Sequence, residues 1–412
     1  MRDDAMPPKE ALTVSFGQDL MTEWIPDALG ATDVVRGLAD GSHLNPTRLD
    51  VGWLQVPLAH RTETIPVVTP EVRAHMHRLV ERSLHRYRPR PEVFSYRSTE
   101  WDYRGAYRAR QRRMRELGSR EDLPLVLRLD VRQFGASLPL HVLLDAPWMT
   151  EDLAQQVTPL HGASGRCLLP GHRWANRLGT AALAPIDNLL AAEVPERWLR
   201  WGDDWHVFVR GAGEAERIRE VVASGLANLG LSLSAQKTVW EPVHRLFAGA
   251  ARDVAGDPRK VWRAGIRDGD MRALRYALTR AEPTTEISRD ISEVVRMRPE
   301  LLPRAIQYLD RAMTTPGATE VVEELFDDSG LFTAARVLTL AGRHQELARR
   351  VPDRLLILAA DCGIAGLCAL AARVAFSSRR GHLVGEPPPR MLPWISQGAD
   401  LRQLRPSVAT LL

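Results

Sequence analysis

Three aspartates and one lysine are the residues of this 412-residue chain whose types and spacing could do chemistry. Asp130 sits in an alternating apolar stretch of Leu125, Leu127, Leu129 and Val131, and Asp203-Asp204 follow Gly202 between the β-forming runs Arg197–Arg200 and Trp205–Val209. If that strand and that hairpin are neighbours in one sheet, Asp130, Asp203 and Asp204 converge, and hard divalent cations would relieve their repulsion. Mg²⁺ (or Mn²⁺) takes such oxygen ligands and keeps open positions for phosphate oxygens. Two ions about 3.5–4 Å apart would stabilise the attacking and leaving oxygens of a phosphoryl displacement. Lys237, one of only three lysines, could neutralise or protonate a pyrophosphate leaving group. Taken alone, Gly-Asp-Asp also reads as a solvated hairpin turn.

The elements that must position these residues are legible in part. Residues 125–131 alternate with period two, as a strand does. Gly202 with the acids after it predicts a hairpin turn. Between Glu214 and Leu229, Ile218, Val221, Val222 and Leu226 share a helical face, and Gly230 stands where a C-cap belongs. Leu231–Ala235 alternates again and delivers Lys237. Upstream, Thr64–Val68 reads as a short strand and 70–85 as a helix. Beyond 255, helix-length amphipathic segments fall near 270–281, 286–297, 299–313, 330–342, 353–361 and 364–376, as in a helical repeat without a strict period.

Composition bounds the rest. At roughly 150 residues per domain the length predicts two to three domains. A 44% hydrophobic and 26% charged chain is that of a folded protein, not a disordered or low-complexity one. There is no apolar run of about 18 residues and no signal-peptide pattern, so the expectation is a cytoplasmic protein without a membrane span. Cys167, Cys362 and Cys368 are too scattered for a disulfide framework or a zinc site. Of 55 basic residues 52 are arginines, and residues 81–120 hold twelve of them against five acids, interleaved with Tyr87, Phe94, Tyr96, Trp101, Tyr103 and Tyr107. That mixture suits phosphate contact and base stacking, and equally a solvated helical face.

Order and spacing then add a resemblance. Leu129–Leu138 resembles the first aspartate motif of the reverse transcriptase family, and Trp201-Gly202-Asp203-Asp204 resembles its Tyr-x-Asp-Asp motif. Leu168–Gly171, Ala175–Leu178 and Ala184–Asp187 are similar to the segment between them, which normally carries Pro-Gln-Gly, Ser and Leu-Ala-Asn. Ser234–Thr238 resembles the Asn-Pro-Glu-Lys-Thr turn, Leu246–Gly249 the Phe-Leu-Gly hairpin, and Val93–Arg97 the Ser-Tyr-Gly-Phe-Arg stretch of bacterial members. The likeness spans about residues 60–250. Pro170 replaces the glutamine, Ala175 the serine and Trp201 the tyrosine, while Gly135 stands where the family carries a bulky ring.

What the resemblance implies is an α/β (α+β) polymerase fingers-palm region followed by an all-α, repeat-like C-terminal domain. The expected divisions are an N-terminal extension over 1–60, fingers and palm over 61–255, helices over 256–376 and a Pro/Arg-containing tail over 377–412. Asp130, Asp203 and Asp204 would hold the metals and Lys237 would serve the pyrophosphate. Gly135, Gly171, Arg61 and Arg73 are candidates for nucleotide binding. The partners would be nucleoside triphosphates and RNA or DNA, with no membrane. The helical half reads either as thumb and scaffold or as a surface for a second copy or an accessory protein. Likeness to the abortive-infection branch implies anti-phage defence, with template-independent or protein-primed synthesis. Nucleotide cyclases share a Gly-Gly-Asp-Glu-Phe turn, but their first acid lies about forty residues upstream, against 73 from Asp130 to Asp203. A catalytically silent nucleic-acid-binding scaffold is the alternative from another class.

Overall fold

The structure, a computed structural model, describes residues 51–58, 61–68, 70–97, 103–170, 172–252, 257–327 and 330–384. The N-terminal extension before residue 51, Trp101, Gly171 and the tail beyond 384 lie outside the described residues.

The described chain opens with β1 (Val51–Leu58), β2 (Arg61–Val68) and α1 (Pro70–Ser83). Next come α2 (Tyr103–Gly118), β3 (Leu125–Asp130), α3 (Phe134–Ser137), α4 (Leu140–Leu144), α5 (Glu151–Ser164), α6 (Arg173–Ala182) and α7 (Ala184–Glu193). β4 (Trp198–Trp201), β5 (Asp204–Val209), α8 (Ala212–Asn228), β6 (Val239–Pro242) and α9 (Val243–Arg252) follow. The remainder is helical: α10 (Pro258–Asp268), α11 (Met271–Arg280), α12 (Thr285–Met297), α13 (Leu302–Ala312), α14 (Ala318–Glu324), α15 (Leu331–Ala341), α16 (Gln345–Arg350), α17 (Asp353–Asp361) and α18 (Ala365–Ser377). The architecture is α+β, with two small antiparallel sheets. No helix among the described residues is long and apolar enough to cross a membrane.

The described residues fall into two compact units, one within 73–252 and the other made of those within 51–72 and 257–384. In the first, a four-stranded sheet runs β4-β5-β3-β6. Val126, Leu199 and Phe208 on one face of it bury against Met114 and Leu117 of α2 and Val243 of α9. The alternate residues Leu127, Leu129 and Val207 are also fully buried, and α8 packs against β3 and β5. β3 is therefore covered on both sides, not only on the one that its alternation predicts.

Three expectations need correction. β1 falls in the stretch read as an N-terminal extension over 1–60 and β2 opens the region read as fingers and palm over 61–255, yet the two pair and belong to the second unit. There β1 packs on α15, and a Cβ on Gly52 would meet the Ile364 side chain at 2.8 Å. Residues 231–235 form no strand; Leu233 makes a single bridge to Val131. Leu246–Gly249 lies in helix α9 rather than in a hairpin. Val243, Leu246 and Phe247 recur at helical spacing and pack on the cluster around Val126.

In the second unit the amphipathic periods coincide with α11, α12, α13, α15, α17 and α18 to within a few residues. Asp257, Asp270 and Thr284 cap α10, α11 and α12 by accepting backbone N–H bonds.

Candidate active site

The sheet brings the acids together. Asp130, the last residue of β3, pairs with Asp204, the first residue of β5, and Asp204 also pairs with Trp201 of β4. The intervening turn needs Gly202, whose φ is 64°. Nothing lies within 4 Å of where its Cβ would be, so backbone conformation rather than space selects glycine. Lys237 arrives from a loop pinned to the end of β3: the Ser234 N–H donates to the Asp130 carbonyl at 2.8 Å and the Arg132 N–H to the Ser232 carbonyl at 2.9 Å. Its Nζ then donates to Asp130 Oδ2 at 3.0 Å.

Electrostatics register the crowding. Asp130 is only 6% exposed. Burial, then the Asp130 charge, raises the Asp203 carboxyl above its ordinary range. Asp204 keeps contact with solvent at the mouth of the cluster, yet desolvation, a hydrogen bond shared with Asp130 and the Asp203 charge push it up to about 7. The bond to Asp130 raises the pKa of Lys237, so the ammonium stays charged. Burial leads both aspartate shifts, and the neighbouring carboxylates add to it.

The turn is held from behind by residues that no sequence motif singles out as a brace. Arg200, fully buried in β4, grips Asp187 of α7 through two bonds of 2.8 and 2.6 Å. Its Nη1 donates to the Gly202 carbonyl at 2.7 Å. The Gly202 N–H donates to Ser95 Oγ at 2.7 Å, and Trp205 Nε1 donates to Asp187 at 3.0 Å. Ser95 is in reach because Val93 bridges Arg200 in parallel. A second buried pair, Arg177 with Glu81, donates its remaining Nη1 to the Tyr96 carbonyl at 2.8 Å. An arginine within the apolar run Trp198–Trp201 was the one available signal, since a buried guanidinium demands a carboxylate.

Beside the acids lies a cavity of about 150 Å³, lined by Tyr96, Gly135, Pro170, Asn176, Gly202 and Asp203 among others. Gly135 lies in the short helix α3, where a Cβ would stand 3.7 Å from the Leu168 carbonyl, so a side chain has room to start. The other nucleotide candidates are placed differently. Arg73 is 2% exposed inside α1, and its charge joins burial in holding His172 well below the ordinary histidine value. Arg61 begins β2 in the second unit. Gly171 lies outside the described residues.

The arginine-rich segment includes α2, which packs on the same sheet face as Asp130. Arg110 lies 5.8 Å from the Trp201 ring centroid, and its Nη2 donates to His206 Nδ1 at 3.5 Å. Burial first, then Arg110 and Arg128, depress His206 to about 3, which keeps it a neutral acceptor. Tyr107 meets Trp201 edge-on at 5.8 Å. Arg108, Arg112 and Arg115, at helical spacing, are exposed on the outer face.

As placed, no three His, Cys, Asp or Glu side chains among the described residues form a preassembled metal site. The Lys237 ammonium occupies an oxygen of Asp130 instead. The donor set nevertheless fits a hard divalent cation: three carboxylates, two with raised proton affinity, against one ammonium. The Lys237 side chain is 67% exposed, so it can swing away and release that oxygen. No family model and no curated protein matches the chain.

Proposed function

We propose that the first unit is a nucleotidyltransferase of the reverse-transcriptase type, which adds nucleotides from nucleoside triphosphates to a nucleic-acid or protein hydroxyl. The observation that carries this reading is the convergence of Asp130, Asp203, Asp204 and Lys237 at one sheet end, beside a cavity. Asp130, Asp203 and Asp204 would hold Mg²⁺ or Mn²⁺, which when bound neutralises their charge and polarises triphosphate oxygens. Lys237, released from Asp130, keeps its proton at Nζ and places it against the departing pyrophosphate. The cavity takes the nucleoside, with Gly135 offering no side chain to collide with a ribose 2′-OH. The exposed arginines of α2 receive phosphates of a nucleic-acid strand. An anti-phage role belongs to this proposal through the family resemblance alone.

The ion pair between Lys237 and Asp130 favours a second reading, a silent nucleic-acid-binding scaffold whose acids are neutralised from within. One experiment separates the two. Purified protein is given labelled dCTP or CTP with Mg²⁺ or Mn²⁺, alongside Asp130→Ala, Asp203→Ala and Gly135→Tyr. The proposal expects incorporation by the wild type, its loss in both alanine variants with folding retained, and deoxy selectivity sharpened roughly tenfold or more by Gly135→Tyr. Absence of metal-dependent incorporation with nucleic-acid binding intact supports the scaffold.

A further inference from the structure

In the second unit, α17 and α18 are joined by Cys362, Gly363 and Ile364. Cys362 is the C-cap of α17, and Gly363, at φ 72°, reverses the chain. The reversal brings the first turn of α18 back over the end of α17. The Cys362 thiol donates to the Ala359 carbonyl at 3.1 Å and accepts the Ile364 N–H at 3.4 Å. Cys368, in the second turn of α18, donates to the Ala360 carbonyl at 3.1 Å. Both sulfurs thus lie over the same end of α17, half-buried and unbridged.

We propose that Cys362 and Cys368 are a thiol pair that hydroperoxides convert to an intramolecular disulfide locking the α17–α18 turn. The Cys368 thiolate attacks one peroxide oxygen, giving Cys368 sulfenic acid and hydroxide. The Cys362 thiol then attacks that sulfur, the S–S bond forms, and the hydroxyl leaves as water. Two thiols lose two electrons and two protons, while H₂O₂ is reduced to two waters. Roles within the pair follow from their closeness: when Cys368 loses its proton, the Cys362 S–H turns from the Ala359 carbonyl to the Cys368 sulfur, which lowers the Cys368 pKa to about 7 and raises that of Cys362. Cys167 supplies the internal contrast, being 1% exposed with its pKa pushed up to about 11 by burial.

The test treats the purified full-length chain with H₂O₂, unfolds it, alkylates free thiols and maps peptides by mass. The proposal expects a Cys362–Cys368 cross-linked peptide, about 2 Da below the dithiol and restored by dithiothreitol, with Cys167 fully alkylated. Cys362→Ser is expected to stop at a dimedone-reactive sulfenic acid on Cys368, absent from Cys368→Ser, with near-ultraviolet circular dichroism confirming that both variants fold. Cys362 and Cys368 both alkylated after peroxide, sulfinic acid on Cys368 beside a free Cys362, or a bridge between two chains would each overturn it. None of these outcomes depends on nucleotidyl transfer.

Discussion

Arg200 and Asp187, a pair in the first unit, have side chains 0% and 2% exposed, whereas the second unit's Arg263 and Glu286 are 65% and 39% exposed. The contrast repeats: Arg177 and Glu81 are 3% and 4% exposed, against 49% and 37% for Arg350 and Glu323. Burying an ion pair costs desolvation that packed apolar residues avoid, so burial alone does not explain why the first unit keeps two of them. Both buried arginines spend a third donor on a backbone carbonyl at the acid turn or the cavity wall, that of Gly202 or Tyr96. Desolvated charge in the first unit fixes the loop backbone around the acid turn and the cavity wall. The second unit's helices carry apolar seams and N-caps beside bonds such as Arg311 to the Leu278 carbonyl, and these two ion pairs stay in solvent.

Breaking the buried pair should have the largest effect. Asp187→Ala leaves Arg200 charged and unmatched, and should cost about 3–5 kcal/mol in urea unfolding. A loss under about 1 kcal/mol would mean that Arg200 finds another partner. Next comes the buried histidine. Because the folded-state pKa of His172 lies well below 6.5, the unfolded chain takes up a proton that the folded chain refuses. Its contribution to stability is whole above that pH and falls as pH drops, by up to roughly 1.4 kcal/mol per unit. His172→Gln should therefore flatten the decline in unfolding free energy between pH 7 and 5; an unchanged slope would contradict the assignment. At the small end, Arg263→Ala should leave the melting temperature unchanged, because both partners are solvated. A clear drop there would erase the contrast between the units.

The elements carrying the acids were legible because their signals are local. Period-two alternation marks β3, and a glycine before two acids marks the β4–β5 turn. The braces were not. Ser95 reaches Gly202 across 107 residues, and Arg200 meets Asp187 across the α7–β4 connection. Such pairings exist only once the sheet has formed. Alternation over 231–235 misleads because Val239–Pro242, not this stretch, pairs along β3. Arg73 reads as a candidate for nucleotide binding, yet the buried apolar positions Val72, Met76 and Val80 show that its helix lies in the core.

The proposed function requires Asp130, Asp203 and Asp204 to act as one divalent-cation site. Calorimetric titration of Mn²⁺ into the full chain at pH 7.5, for the wild type and for Asp203→Asn, tests it most directly. The account predicts saturable binding by the wild type and an affinity at least about tenfold weaker in the variant, whose cluster has lost one anionic ligand. Identical isotherms from the two proteins would contradict it.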